Sequence, residues 1–313
     1  SDGVLAVRLH AHVGPARGLA FPPRPAPWVS VGDDGVLRVW EIPSPPRVLS
    51  GHMGAVESVV TGPNGQTIAT TGADKTVRLW NLGDGAPGWT LAHDMPIRAV
   101  GWKADSQQLA TADAAHRVRV WNLVDGQQLA VLEGHAAAIS ALAWAPDGSL
   151  LSASVDGHVK VWSVAEKKES ATLATGAPLT GMAIVASSQT LVTAHADGTL
   201  KNWQLADRKP VATIPVGAPV DALTISNDGK TALVACRDKS LRQFALAGGA
   251  AGPVSVTVFA EVRLEKQPQH LCDGLLDHAI QHRRDSQRAF RPVGLRYPHP
   301  SDGRGPVVSF SDR

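Results

Sequence analysis

Histidine, a hydroxyl and a carboxylate recur together at three places along this chain: His12 with Ser30 and Asp34, His52 with Thr70 and Asp74, His135 with Ser152 and Asp156. These are the residue types of a nucleophile, its activating base and the acid that orients the base, so acyl transfer is the chemistry they would support. A triad is needed once, with an exposed nucleophile beside donors for an oxyanion. Three near-equivalent copies, each followed by a tryptophan (Trp40, Trp80, Trp162), read instead as scaffold. A second cluster, His270, Cys272, His278 and His282, has two histidines one helical turn apart, as a metal site would. The same stretch reads rather as a solvated amphipathic helix. No catalytic residue, cofactor or metal is therefore expected.

The elements that position the repeated groups are short strands. The aromatics Trp40, Trp80, Trp121, Trp162, Trp203 and Phe244 follow one another at steps of 40 or 41 residues. Six residues before them stand Asp34, Asp74, Ala115, Asp156, Asp197 and Asp238, and ten before them Ser30, Thr70, Thr111, Ser152, Thr193 and Val234. Each copy ends in an alternating strand such as Thr76-Val77-Arg78-Leu79-Trp80, with a preceding Asp-Gly or Asp-Lys that predicts a hairpin. Earlier in each copy come two more strands, for example 56–60 and 66–70, and a variable strand links the copies. Four strands per repeat and no helical pattern predict an all-β chain of radially repeated sheets. One repeat cannot bury its own apolar face, so neighbours complete it.

The bulk composition fits. The chain has 313 residues, 43% hydrophobic and 19% charged, at net charge +2. Residues 1–260 carry equal numbers of acidic and basic side chains, which argues against nucleic-acid binding through phosphates. The row Arg38, Arg78, Arg119, Lys160, Lys201 and Arg242 belongs to six separate strands, with stems expected to pack along their blades. No apolar run is long enough for a membrane span. Cys236 and Cys272 make no disulfide framework, so the compartment stays open between the cytoplasm and, with a processed N-terminus, an exported location.

Gly-His (Gly51-His52, Gly134-His135), then Ser/Thr-x3-Asp, then an aromatic six residues on, at this period, resembles the WD40 repeat family over roughly residues 4–260. The Asp that often follows the closing Trp is replaced by Glu41, Asn81, Asn122, Ser163, Gln204 and Ala245. The resemblance implies a β-propeller of four-stranded antiparallel blades: six clear repeats, an incomplete or degenerate seventh, and an N-terminal strand that closes the ring. It also implies that His, Ser/Thr, Asp and Trp form one buried hydrogen-bond chain per blade, complete in the first, second and fourth. The third copy lacks the Asp, the fifth the His, and the sixth the His, hydroxyl and Trp. Blades two and four are then expected to be the most rigid and the sixth the least.

Residues 2–12 align with an outer strand and would complete a last blade, removing exposed edges. Residues 261–313 lack every repeat signature and form a separate tail. They fit a degenerate seventh blade, an added segment of helix and coil, or a sequence that is not the natural continuation of this reading frame.

The family resemblance implies a rigid, non-catalytic platform for other proteins or peptides, with binding around the channel mouth. The chain would be a monomer or one part of a larger assembly. The candidate partner-binding residues are Arg17, Glu57, Arg98, Ser140, Thr180 and Asp221 at the starts of the first strands, with Asp33 and Arg237 beside the hairpin turns. Without aromatic anchors there, polar recognition is expected. The alternative is a propeller domain of a larger enzyme or redox protein whose catalytic part lies outside this chain.

Overall fold

The computed structural model describes residues 12–20, 27–40, 46–185, 189–226, 229–246 and 253–258. These residues contain twenty-four strands and no helix. The strands form six four-stranded antiparallel sheets, each built from consecutive strands in chain order, consistent with propeller blades. Blade two is Val56–Thr61, Thr67–Gly72, Thr76–Asn81 and Pro87–Ala92; blade four is Ile139–Trp144, Leu150–Ser154, His158–Ser163 and Lys168–Ala174. The proposed closing strand, the seventh blade, the tail 261–313 and its histidines lie outside the described residues.

The hairpin between second and third strands has one backbone solution throughout. The residue five before each closing aromatic takes a left-handed φ: Gly35 75°, Lys75 62°, His116 65°, Gly157 83°, Gly198 81° and Lys239 68°. Its N–H closes a four-residue turn, as from Lys75 to the Gly72 carbonyl at 3.1 Å. Glycine meets that φ without penalty, and the turn supplies the reversal the Asp-Gly and Asp-Lys pairs predict.

Cores lie between blades rather than within them. Trp80 packs with the blade-one residues Val29, Val31, Leu37 and Leu49. Trp121 does the same on Ala69, Val77 and Leu91 of blade two, and Trp162 on Ala110, Val118 and Leu132 of blade three. Trp203 and Phe244 repeat the arrangement on blades four and five. Each aromatic therefore completes the apolar burial of the blade before it.

First strands of neighbouring blades also approach closely: Ile97–Trp102 lies on Ile139–Trp144, which lies on Leu179–Val185. Small residues permit this. A Cβ on Gly101 would fall 3.0 Å from the Leu142 Cβ.

All six first strands carry a register break near their start. The skipped residues are Arg17, Glu57, Arg98, Ser140, Thr180 and Asp221, the positions picked out in the sequence. A bulge leaves its residue out of the ladder and re-aims the side chain. Six equivalent bulges thus present five kinds of side chain at one end of the sheets.

Candidate functional site

In blade two, Trp80 Nε1–H donates to Thr70 Oγ1 at 2.8 Å, and that hydroxyl lies 2.9 Å from His52 Nε2. On the far side of the ring, Nδ1 lies 3.0 Å from Asp74 Oδ1. A carboxylate only accepts, so Nδ1 carries the proton and Nε2 accepts from the hydroxyl. Blade one repeats this with Trp40, Ser30, His12 and Asp34 at 2.9, 2.8 and 2.7 Å along the chain. Blade four repeats it with Trp162, Ser152, His135 and Asp156 at 2.8, 2.7 and 2.8 Å. The three histidine side chains have no exposed surface.

The carboxylates are well served. Asp74 also accepts from the Met53 N–H at 2.9 Å and from the Thr76 hydroxyl at 2.8 Å. Burial pushes its carboxyl up, yet these donors and His52 together hold it at about 2. Burial pushes the His52 and His135 imidazoles down, against the pull of Asp74 and Asp156. Each hydroxyl already bonds an indole and an imidazole inside the protein.

Two blades depart from this pattern. In the third, with Ala115 at the carboxylate position, a buried Asp113 stands two residues earlier but does not bond the histidine. Asp113 is fully buried, accepts from the Arg117 N–H at 3.1 Å, and pairs with the Arg117 guanidinium at 2.9 Å. His93 Nε2 meets Thr111 Oγ1 at 2.8 Å, but its Nδ1 turns to the Leu91 carbonyl at 3.2 Å. Burial pushes this imidazole down to about 4.

The fifth blade has its imidazole too. His195 supplies it from the second strand, two residues beyond Thr193, with Nε2 2.9 Å from Thr193 Oγ1. Trp203 Nε1–H donates to the same hydroxyl at 3.0 Å. Thr175 stands where the loop histidine would be, and its hydroxyl bonds the Gly157 carbonyl at 2.9 Å.

Residues eight before the closing aromatic bear on the fifth blade: Gly32, Gly72, Asp113, Ser154, His195 and Cys236. A Cβ on Gly32 would fall 2.7 Å from His12 Cγ. Glycine leaves room for an imidazole arriving from the loop; where the loop brings Thr175, His195 fills the same space from the strand. That pairing of columns was the available signal.

The basic row is spent locally. Arg38 meets Asp34 at 2.8 Å, Arg119 meets Asp94 at 2.7 Å, Lys160 meets Glu169 at 2.5 Å and Arg242 meets Asp238 at 2.5 Å. Lys201 donates to the Thr175 carbonyl at 2.5 Å. Among the described residues no three His, Cys, Asp or Glu side chains are placed to hold a metal, and no helix is long and apolar enough to cross a membrane.

At the bulge end, charges divide into two kinds. Arg17 grips Asp33 with two bonds of 2.5 and 2.8 Å, and the bonds to Arg17 hold that carboxyl below the usual carboxylate range. Arg237 meets Asp221 at 3.1 Å. Ser140 donates to the Ala153 carbonyl at 3.2 Å, and Thr180 is half-buried. Glu57 and Arg98, on adjacent blades, have Ala73 and Ala114 at the repeat positions where Arg17 and Asp221 have a counter-charge, and form no ion pair among the described residues.

Sequence reasoning missed the apolar part of this end. Val13 and Met53 follow the loop histidines and are 83% and 85% exposed, with Met95 and Val155 also exposed. Exposure of a single apolar residue leaves no pattern in a sequence.

Known proteins share the repeat. The WD domain, G-beta repeat family model matches residues 43–81, 85–122 and 126–163. A stretch of 45 residues is 44% identical to the pre-mRNA-splicing factor prp46 of Emericella nidulans, covering 14% of this chain and 10% of that protein. Another, of 58 residues, is 41% identical to the ribosome biogenesis protein ERB1 of Chaetomium globosum, covering 18% and 7%. A third, also of 58 residues, is 41% identical to eukaryotic translation initiation factor 3 subunit I of Aspergillus niger, covering 18% and 17%. The chain thus spans a small part of the length of these relatives. The hydrogen-bonded His–Ser/Thr–Asp–Trp chain, its recurrence blade by blade and the three matched segments establish that this protein carries WD40 repeats.

Proposed function

We propose that this chain is a non-catalytic scaffold that binds other proteins or peptides at the bulge end of its blades. The observation that carries this reading is the pair Glu57 and Arg98. They are opposite charges on adjacent blades, each out of its ladder and neither internally compensated, beside the exposed Met53 and Met95. Charges left open in this way favour orientation and on-rate, and the methionines supply adaptable apolar contact. Arg17 with Asp33 and Asp221 with Arg237 are self-paired, so they contribute to a rim rather than an anchor. The buried hydroxyls and imidazoles support a scaffold over an enzyme. The matched relatives are named for splicing, ribosome biogenesis and translation initiation, settings that suit an assembly role.

The test is a pull-down comparing the intact chain with a form carrying Glu57→Arg and Arg98→Glu. Loss of captured proteins with unchanged melting is expected. Unaltered capture by the reversed form overturns this face as the binding surface.

A further inference from the structure

The outer strand of blade four lays a carboxylate on the base of its third strand. Glu169, in Lys168–Ala174, accepts from Lys160 Nζ at 2.5 Å and from the Thr172 hydroxyl. Register sets this up: Lys160 pairs with Thr172, and Trp162 with Glu169. Blade three repeats it with an arginine. Trp121 pairs with Gln128, and Arg119 Nη1 donates to the Gln128 side-chain oxygen at 3.2 Å. Arg119 Nη2 also reaches Asp94, the residue after His93, at 2.7 Å. An acceptor opposite the closing tryptophan thus reaches the base, whether that base is lysine or arginine.

Blade two keeps the base and the hydroxyl but not the acceptor. Arg78 pairs with Thr90, and Trp80 with Pro87. The proline side chain accepts nothing, and the residue after His52 is Met53 where blade three has Asp94. Asp74 Oδ2 lies 4.0 Å from Arg78 Nε, too far for a hydrogen bond, and already accepts from the Met53 N–H. Arg78 Nε is enclosed without a partner. Among the described residues the rest of the guanidinium and the Thr90 hydroxyl form no hydrogen bond either. The Arg78 side chain is 23% exposed, whereas Lys160 and Arg119, under their acceptors, are 15% and 12%. The guanidinium lies over Gly51 as the Lys160–Glu169 pair lies over Gly134.

We propose that Arg78 and Thr90 seat one aspartate or glutamate side chain of a partner protein, which supplies from outside the carboxylate that Glu169 supplies within blade four. A half-buried guanidinium with no acceptor has most to gain from a charged one, and its planar fork fits a carboxylate. The seat uses neither Glu57 nor Arg98, so it and the binding surface proposed above can fail separately.

The test is titration of the isotope-labelled full chain with the capped tripeptide acetyl-Ala-Glu-Ala-amide, followed by NMR. Saturable shifts of the Arg78 Nε–H and the Thr90 amide are expected. Acetyl-Ala-Gln-Ala-amide, uncharged but of the same shape, should bind at least about fivefold more weakly. Pro87→Glu places a carboxylate where blade four has one and should weaken the glutamate peptide at least about tenfold, by occupancy and like charge. Arg78→Gln should abolish the Thr90 shift. Absence of saturable shifts overturns the seat, and equal binding of the two peptides overturns the carboxylate. Undiminished binding to the Pro87→Glu or Arg78→Gln chain overturns the placement. Tighter binding of the phosphoserine counterpart than of the glutamate peptide overturns an acidic side chain as the group received.

Discussion

A side chain on Gly72 and the imidazole of His52 would compete for one volume: a Cβ built at position 72 falls 2.9 Å from His52 Cε1. Gly72→Ala should therefore displace a buried ring and cost about 1–3 kcal/mol, the range for overpacking a filled interior. Urea denaturation of the two proteins measures this, and equal midpoints would show that the ring yields freely.

Removing the carboxylate tests the same assembly from the other side. Asp74→Ala leaves His52 Nδ1–H and the Met53 N–H without their acceptor and should cost about 1–3 kcal/mol. Thermal melting identical to that of the parent chain would contradict a buried network. Asp33→Ala, which removes a half-exposed pair with Arg17, should move stability by less than about 1 kcal/mol.

Blade five permits an exchange. His195→Gly should destabilise it, since Thr193 loses its imidazole partner. Adding Thr175→His to His195→Gly recreates the arrangement of blade two, with Asp197 six residues before Trp203 available to the new ring. The double variant is expected to recover part of the lost stability. If it is no more stable than the single variant, the two positions do not serve one slot.

Acid should weaken the fold through its buried histidines. The folded pKa of His93 is depressed to about 4 by burial, against an ordinary value of 6.5. Below the ordinary value the unfolded chain takes up a proton that the folded chain refuses, so stability falls as pH falls across that window. At pH 5 this one residue should cost about 2 kcal/mol relative to neutral pH. His52, His135 and His195 are shifted in the same direction. Unfolding free energies measured from pH 7.5 to 5 that stay level would refute the assignment.

Hydrogen exchange should rank the blades. Blades two and four hold complete networks with nearly closed carboxylates, whereas blade six has Val216, Val234 and Phe244 where the others have polar partners. Amides of the sixth are expected to exchange fastest. Slowest exchange there would mean that the networks do not set rigidity.

The period, the strand alternation and the hairpin turns were legible because they recur, and recurrence survives any single substitution. Reading each blade as fixed columns was less successful. His195 meets its hydroxyl from a neighbouring position on the strand, and Asp113 is a buried carboxylate that serves Arg117 rather than the histidine of its blade. The mutual grip of Arg17 and Asp33 was equally invisible, since a sequence lists charges without showing which of them face each other.

The aromatic that seals each of the first five blades belongs to the next one, and this has a consequence during synthesis. Trp80 lies 40 residues beyond Trp40, and the later aromatics are spaced at 41. Emerging from the ribosome, a sheet with all four strands paired still shows a greasy flank until the following segment arrives. Nascent chains are thus always one module short of being sealed, and a chain stopped between Leu200 and Trp203 would leave blade four open though every residue of it is present.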